Sequence, residues 1–381
     1  MTRATRFDNG ILVLTENMPG VRSVSLGCWF KSGSRHEPAP LNGITHFVEH
    51  MLFRGTERRS SQQIAKEIDT FGGFLNAFTS QEFCCVYSKI QSDKLVEALD
   101  LLADMLLQSA FAPEEIIKEQ RVIEQELRMA EETPDDRVHD LFNRLFWQGH
   151  SLGRPTGGSV PGLDRFDRSA LVRWKEQRFT ADRLMICAAG DVQHDELVER
   201  AGRQFCSLKP GDLDLADPPP HPKRQLALEE LQLEQVHFCL GTAGLSQNHP
   251  DRFALFLLNA LLGGEMSSRL FQVVREKYGL AYSIQSGLNT FHDSGNLVVS
   301  CATSPQNLTR VLELILTEMA DLCRRPVDEE LLQATRECLK GRLLLSLEST
   351  DNRMSRLARN EYYLGRQVSI DSVLDAFDRV T

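Results

Sequence analysis

Alternating apolar and polar residues predict strands in the first half of the chain. From Ser23 to Phe30 every second side chain is apolar, a period typical of a half-buried strand. A helical pattern between Ser60-Ser61 and Gly72-Gly73 predicts a helix at 62–71, since serine favours the start of a helix and glycine its end. Similar patterns predict strands at 74–79, 83–90 and 184–189 and helices at 46–53, 93–108, 113–132, 135–147, 168–178 and 194–206. The first half therefore mixes strands and helices.

The second half repeats this order of elements. The predicted elements are strands at 236–240, 281–290 and 296–302 and helices at 250–262, 267–276, 306–323, 328–347 and 352–364. Residues 92–149 also resemble residues 305–365, which indicates a duplicated unit. We therefore predict an α+β fold with two homologous domains, each a mostly antiparallel sheet packed against helices.

A proline-rich stretch separates the two halves. Four prolines fall within residues 218–222, where they exclude a helix interior or a central strand. This predicts a linker at 216–224. The N-terminal domain is then 1–215, which carries the metal motif described below, and the C-terminal homologous domain is 225–381.

Composition and charge narrow the possible functions. Lys and Arg total 43 and Asp and Glu total 53, and the resulting net charge of -10 argues against nucleic-acid binding. No apolar run approaches the roughly 20 residues of a membrane helix, so membrane insertion is not expected. Nine cysteines without Cys-x-x-Cys spacing are expected to be reduced thiols. Since the first residues do not resemble a secretory signal, we predict a cytoplasmic location.

The sequence His46-Phe-Val-Glu49-His50 is the strongest chemical signal in the chain. Residues four apart on a helix share a face, so both imidazoles can reach one zinc ion. Glu49 projects beside such an ion and is placed to act as a general base. Ten histidines give about 0.26 chance pairs at this spacing, and requiring the glutamate lowers that to roughly 0.02. The pattern therefore favours a metal site over two histidines on a solvated helix.

A catalytic zinc site usually has a third protein ligand. The predicted helix at 113–132 offers Glu119, Glu124 and Glu126. Glu119 and Glu126 are seven residues apart and share a face, whereas Glu124 points elsewhere. The residues alone favour that face but do not choose between Glu119 and Glu126.

The segment Asn42–Thr56 resembles the signature of the pitrilysin/insulysin-type zinc peptidases. The similarity is greatest to the mitochondrial processing peptidase branch and its small bacterial relatives. In that family a third ligand follows the motif by some 75 residues. The resemblance therefore implies one Zn²⁺ per chain, with Glu126 as third ligand and Glu119 as a residue that supports the ligands.

The same resemblance extends into substrate-contacting segments. Arg275 and Tyr282 match the family's Arg/Tyr pair, which implies that they hold a substrate carbonyl and stabilise the oxyanion. Asn76, Ala77 and Phe78 match a strand that lies by the metal and pairs with extended substrate. From the residues alone, an ordinary core strand is an equally acceptable interpretation of residues 76–78. For Arg275 and Tyr282, a surface salt bridge and a core tyrosine are the favoured interpretation without the resemblance.

The resemblance also implies an assembly. Larger single-chain relatives hold four such domains, whereas this chain has two, and Gly264, Ser267 and Ser268 replace the metal motif in the second. A homodimer with a shared active-site chamber would restore the four-domain arrangement.

Together these features predict a zinc metalloendopeptidase that hydrolyses extended or unfolded peptides with water activated by Glu49. The alternative is a non-catalytic structural or substrate-binding subunit of a peptidase heterodimer. Such subunits typically lose motif residues, whereas His46, Glu49, His50 and Glu126 are all present here.

Overall fold

A computed structural model describes residues 2–211 and 218–381 of the chain. Every strand predicted from the sequence is present, and two further strands lie at residues 2–6 and 12–17. The nine strands in the described residues are β1 (Thr2–Arg6), β2 (Leu12–Asn17), β3 (Ser23–Phe30), β4 (Phe74–Thr79), β5 (Cys84–Gln91), β6 (Leu184–Gly190), β7 (Val236–Ala243), β8 (Ala281–Thr290) and β9 (Gly295–Thr303).

The predicted helices are also present, together with a short helix at 160–163 and a C-terminal helix at 370–378 that the sequence did not predict. The α-helices in the described residues are α1 (Ile44–Leu52), α2 (Ser61–Thr70), α3 (Leu95–Gln108), α4 (Pro113–Glu132), α5 (Pro134–Phe146), α6 (Val160–Leu163), α7 (Arg168–Arg178), α8 (His194–Gln204), α9 (Arg252–Asn259), α10 (Leu308–Arg324), α11 (Glu329–Ser346), α12 (Thr350–Leu364) and α13 (Ile370–Asp378). Ala260–Gly264 and Phe271–Lys277 are wider π-helical segments, in the region where the sequence predicted ordinary helix.

The first compact unit is built on a sheet of six strands within the described residues. It comprises the described parts of Met1–Glu132, Gly149–Pro218 and Leu347–Gln367. The strand order is β1-β2-β6-β3-β5-β4, and β2 and β6 form its parallel pair. One face packs on helices that include α1, α3, α4 and α8, and the other face packs on α12. The position of β4 at the end of this order leaves it as an edge strand next to α1.

The second compact unit is built on a smaller antiparallel sheet. It comprises Thr133–Gln148, the described part of Pro219–Ser346 and Val368–Thr381. Its described strands follow the order β7-β9-β8. The π-helical segment at 260–264 runs close to β8, where a Cβ atom on Gly263 would lie 2.7 Å from the Ser286 nitrogen. Glycine is therefore required for that approach.

The two repeats exchange one helix. Helix α5 belongs to the first repeat in sequence, yet it packs on β7 of the second unit, where Phe142 lies against Gly241. Helix α12 is its counterpart in the duplicated sequence, and it packs on the first sheet through Met354 and Leu357. Each unit is thus completed by a helix from the other repeat.

The predicted fold class is confirmed, because each unit combines a mostly antiparallel sheet with packed helices. The predicted domains, 1–215 and 225–381, follow chain order, whereas the compact units exchange 133–148 and 347–367. Residues 216 and 217 of the predicted linker lie outside the described residues. Residues 218–224 have no regular secondary structure.

Candidate metal centre

Helix α1 presents its two histidines on the face opposite its apolar stripe. Ile44, Phe47 and Met51 recur at helical spacing and are fully buried in the core of the first unit. Burial of this stripe leaves His46 and His50 on the open side, both partly buried. The prediction that the two imidazoles share one face is therefore correct.

Helix α4 brings two carboxylates to the same place. Ile116 and Ile123 anchor it in the core, and Glu119 lies between them with 1 % of its surface exposed. Glu126, two turns further along, is about half exposed. The two glutamates therefore occupy different environments, one sealed in the protein and one open to solvent.

The two histidines and Glu126 converge on one point. The Nε2 atoms of His46 and His50 are 3.2 Å apart. One carboxylate oxygen of Glu126 lies 3.7 Å from His46 Nε2, and the other lies 3.6 Å from His50 Nε2. Ligands held about 2.0–2.1 Å from a tetrahedral zinc ion are roughly 3.3–3.5 Å from one another. This donor set, two imidazoles and a carboxylate, therefore fits a zinc ion in chemistry and in spacing.

Glu119 contacts His50 rather than joining the candidate donor set. Its Oε1 lies 2.8 Å from His50 Nδ1, and its other oxygen pairs with Arg54. A carboxylate on the second nitrogen of a histidine fixes the ring so that the first nitrogen faces the metal. The geometry thus distinguishes Glu119 from Glu126, a choice that the residues alone left open.

Burial and charge set the protonation of these groups. Burial, followed by the charge of His50, lowers the pKa of His46 to about 4, so this imidazole is neutral at pH 7 and able to bind a metal. Burial acts to lower the pKa of His50, but Glu119, together with the charges of Glu126 and Glu49, outweighs it and the pKa lies above its ordinary value. Burial acts to raise the pKa of Glu119, and His50 and Arg54 together lower it. His50 and Glu119 therefore form a strongly coupled pair.

Glu49 lies next to the convergent ligands and is oriented by Thr79. The Thr79 hydroxyl donates a hydrogen bond to Glu49 Oε2. Burial raises the pKa of Glu49, against the lowering effect of this hydrogen bond. A raised pKa suits a carboxylate that accepts a proton near neutral pH. Thr79 was not singled out from the sequence, because only the folding of β4 against α1 brings it to Glu49.

Strand β4 carries the three residues predicted to meet substrate. Within the described residues β4 pairs with β5 alone, so its other edge is open. Asn76 and Phe78 are exposed and Ala77 is partly buried, in the alternation of a strand with one covered face. Because Thr79 ends this strand beside Glu49, the open edge leads to the candidate metal centre.

Arg275 and Tyr282 lie together in the second unit. Arg275 Nη1 donates to the Tyr282 carbonyl oxygen at 3.1 Å, and its guanidinium lies 4.6 Å from the centre of the Tyr282 ring. The Tyr282 side chain is 80 % exposed. The two residues are therefore in contact, with the phenol presented to solvent rather than packed in a core.

Comparison with known families identifies the class of protein. Residues 12–160 match the family described as Insulinase (Peptidase family M16), and residues 165–339 match the Peptidase M16 inactive domain. The chain belongs to this insulinase-type peptidase family, and the resemblance inferred from the sequence is confirmed.

Two bacterial relatives match nearly the whole chain. The chain is 39 % identical to a protein named uncharacterized zinc protease YmxG of Bacillus subtilis, over 98 % of this chain and 91 % of the relative. It is 36 % identical to an uncharacterized zinc protease of Mycobacterium leprae, over 99 % of this chain and 86 % of the relative. These relatives support a peptidase that uses zinc.

Solved structures share the fold. A peptidase M16 inactive domain from Pseudomonas fluorescens superposes with a TM-score of 0.93 at 19 % identity, covering 100 % of this chain and 92 % of that one. A protease from Helicobacter pylori superposes with a TM-score of 0.91 at 20 % identity, covering 100 % of this chain and 94 % of that one.

Among the described residues, no helix has the length and apolar character of a membrane span.

Proposed function

We propose that this chain is a zinc-dependent endopeptidase that hydrolyses extended or unfolded peptides. The observation that carries the proposal is the convergence of His46, His50 and Glu126 on one point with Glu49 beside it. Two imidazoles and one carboxylate leave a fourth position open, as catalytic zinc sites do. We propose one zinc ion per chain at this point.

Each residue of the centre has a separate task in the proposed reaction. Zinc bound there would lower the pKa of a water molecule to near 7 and polarise the scissile carbonyl. Glu49 accepts a proton from the attacking water and returns it to the leaving nitrogen. Thr79 donates to one oxygen of Glu49, which leaves the other oxygen available for the proton. Glu119 holds the His50 ring in place through its Nδ1 atom.

The open edge of β4 supports the proposed class of substrate. An extended peptide can add to such an edge through main-chain hydrogen bonds, with little demand on its side chains. The strand that carries Asn76, Ala77 and Phe78 would supply those bonds from its open edge, and it ends at Thr79, beside Glu49. A folded protein cannot present a free strand in this way, so unfolded segments are the expected substrates.

The Arg275 and Tyr282 pair supports a proposed homodimer. Its phenol is exposed and its guanidinium can donate hydrogen bonds, which suits a role in holding a substrate carbonyl and the oxyanion. By the family resemblance, this pair would serve the metal centre of the partner chain, in a chamber shared by two copies.

The cytoplasmic location also stays a prediction. All nine cysteines lie in the described residues as free thiols, and five of them are buried.

Glu49→Gln is the decisive test. It keeps the size and hydrogen bonding of the side chain but removes the base. Zinc content should stay at the wild-type level while turnover of a quenched peptide falls at least about 10²-fold. Glu126→Gln is the matched comparison, and it should lower zinc content. Loss of zinc in Glu49→Gln would make Glu49 a ligand, and unchanged turnover would refute its role as base.

The same assay addresses the non-catalytic alternative. A structural or substrate-binding subunit would bind peptides without cleaving them, whatever its metal content. Wild-type protein that holds zinc but cleaves no unfolded peptide would favour that alternative.

A further inference from the structure

The start of helix α1 is held by a carboxylate from outside the helix. The helix begins after Gly43, which adopts a left-handed conformation with φ of 97° and has no side chain to cap the first turn. Helix starts expose amide groups that need an acceptor. Glu37 supplies it, with Oε2 accepting from the Gly43 amide at 2.7 Å and Oε1 accepting from the Thr45 amide at 2.8 Å.

Glu37 is also the centre of a buried network. Only 3 % of its surface is exposed. Asn42 donates to Glu37 Oε2 at 3.1 Å and to the Pro155 carbonyl at 3.0 Å, which ties the segment after Arg154 to the helix start. The Asn42 side chain and the Gly43 and Thr45 amides each offer a hydrogen to a Glu37 side-chain oxygen, so both oxygens must act as acceptors.

The 155–158 segment, which Asn42 holds, lies against His46. A Cβ atom on Gly157 would lie 3.7 Å from His46 Nδ1 and 2.9 Å from a methyl carbon of Leu127, the residue after Glu126. A Cβ atom on Gly43 would lie 2.6 Å from the Gly157 oxygen, so the two backbones are in close contact. The helix start, the 155–158 segment and His46 are therefore packed against one another.

The two histidines are supported in different ways. His50 has a carboxylate on its second nitrogen, 2.8 Å away on Glu119. The second nitrogen of His46 is buried and has no hydrogen-bond partner among the described residues. Its direction is therefore set by the backbone of the first turn, where His46 directly follows Thr45.

We infer that Glu37 is a positioning residue for the metal centre, because its carboxylate fixes the first turn of α1 and thereby aims His46. The inference rests on the proposed zinc function. Without the acceptor, the amides of Gly43 and Thr45 lose their partner and the first turn frays, whereas His50, a turn later and held by Glu119, stays in place. Zinc affinity should then fall through His46 alone.

Glu37→Gln tests this inference. Glutamine keeps the shape of the side chain, but its NH₂ group would face a backbone N–H group that needs an acceptor. Zinc affinity, measured by competition with a chromogenic chelator, should weaken about 10- to 100-fold, the usual effect of losing a residue that orients a ligand. Saturating zinc should restore most of the turnover, because no group that touches substrate is altered.

Ser60→Ala is the matched control. Ser60 caps α2 by accepting from the Gln63 amide, and α2 carries none of the site residues. Loss of that cap should reduce stability but leave zinc affinity within about 2-fold. A folded Glu37→Gln protein with wild-type affinity would overturn the inference. An equal loss of zinc affinity in Ser60→Ala would also overturn the inference, because the effect would then follow from lower protein stability in general.

Asn42→Ala decides the matter if Glu37→Gln does not fold. It removes one of the donors that hold the Glu37 carboxylate at the helix start and also releases the 155–158 segment, so zinc affinity should drop several-fold, and an unchanged affinity would overturn the inference. Failure of the proposed function looks different. Wild-type protein would then bind no zinc, or would bind it equally well after His46→Ala, which overturns both proposals together.

Discussion

Replacing Glu119 by glutamine measures how strongly the metal centre depends on its support. Glu119 is almost completely buried, with one oxygen on His50 Nδ1 and the other on Arg54. Glutamine fills the same space but loses the charge that orients the His50 ring. Removing such a partner typically weakens metal binding 10- to 100-fold, which corresponds to about 1.4–2.7 kcal/mol. We expect zinc to stay bound at millimolar concentration and to be lost first as free zinc is lowered.

The matched control lies on the same helix. Glu124 is partly buried and pairs with Arg128 one turn later, away from the candidate ligands, so Glu124→Gln should change zinc affinity by less than about 2-fold. Competition with a chelator gives the affinity of each variant. Wild-type affinity in Glu119→Gln would show that His50 needs no such support. A loss as complete as that of Glu126→Gln would instead identify Glu119 as a ligand.

Three further outcomes are expected. Purified protein should contain about one zinc per chain, and chelation should abolish cleavage; full activity in metal-free protein would contradict this. An unfolded protein should be cleaved and its folded form spared, with a preference for basic peptides that salt weakens; equal rates for both forms would be inconsistent with edge-strand binding. Burial, then Arg178 and Arg35, lowers the pKa of His36 to about 4, against about 6.5 when unfolded. The unfolded chain therefore binds more protons between these values, and stability should fall as the pH drops through them. Urea unfolding at pH 6.5 and 4.5 should show a larger loss for wild type than for His36→Gln, and equal losses would refute this explanation.

Local periodicity accounts for the parts of the site that the sequence predicted. Apolar residues at helical spacing bury one side of α1, which forces His46 and His50 onto the other side. The third ligand could not be fixed in this way, because it depends on how α4 packs on α1. Ile123 is buried, whereas Val122 beside it is exposed, since neighbouring residues on a helix point about 100° apart.

Contacts between distant segments account for what the sequence did not predict. Thr79 reaches Glu49 only because β4 lies beside α1, and Glu37 reaches the α1 amides through an irregular segment without a repeating pattern. Strand β1 is short and partly exposed, so its pattern is weak. The exchange of α5 and α12 has no local signal at all, because either helix would satisfy the periodicity of either repeat.

Complementation between variants tests the proposed homodimer. If the chamber is shared, Glu49 of one chain works with Arg275 of the other. Glu49→Gln and Arg275→Ala should each be weakly active alone. After mixing and subunit exchange, half of the dimers would be hybrids, and each hybrid would have one of its two sites fully intact. About a quarter of wild-type activity should therefore return.

A control mixture of Glu49→Gln with Glu126→Gln distinguishes a shared site from activity gained because mixing stabilises the variants. Glu49→Gln and Glu126→Gln damage the same centre in the first unit, so neither site of their hybrid is intact, and that mixture should regain nothing. Arg275→Ala must therefore complement Glu49→Gln and also Glu126→Gln, because its own metal centre is unaltered. If exchange is demonstrated and both mixtures remain as inactive as their parents, Arg275 acts on the metal centre of its own chain or on none. The proposal of a shared chamber would then be wrong. The proposed zinc site would be unaffected, because His46, His50 and Glu126 lie within one unit.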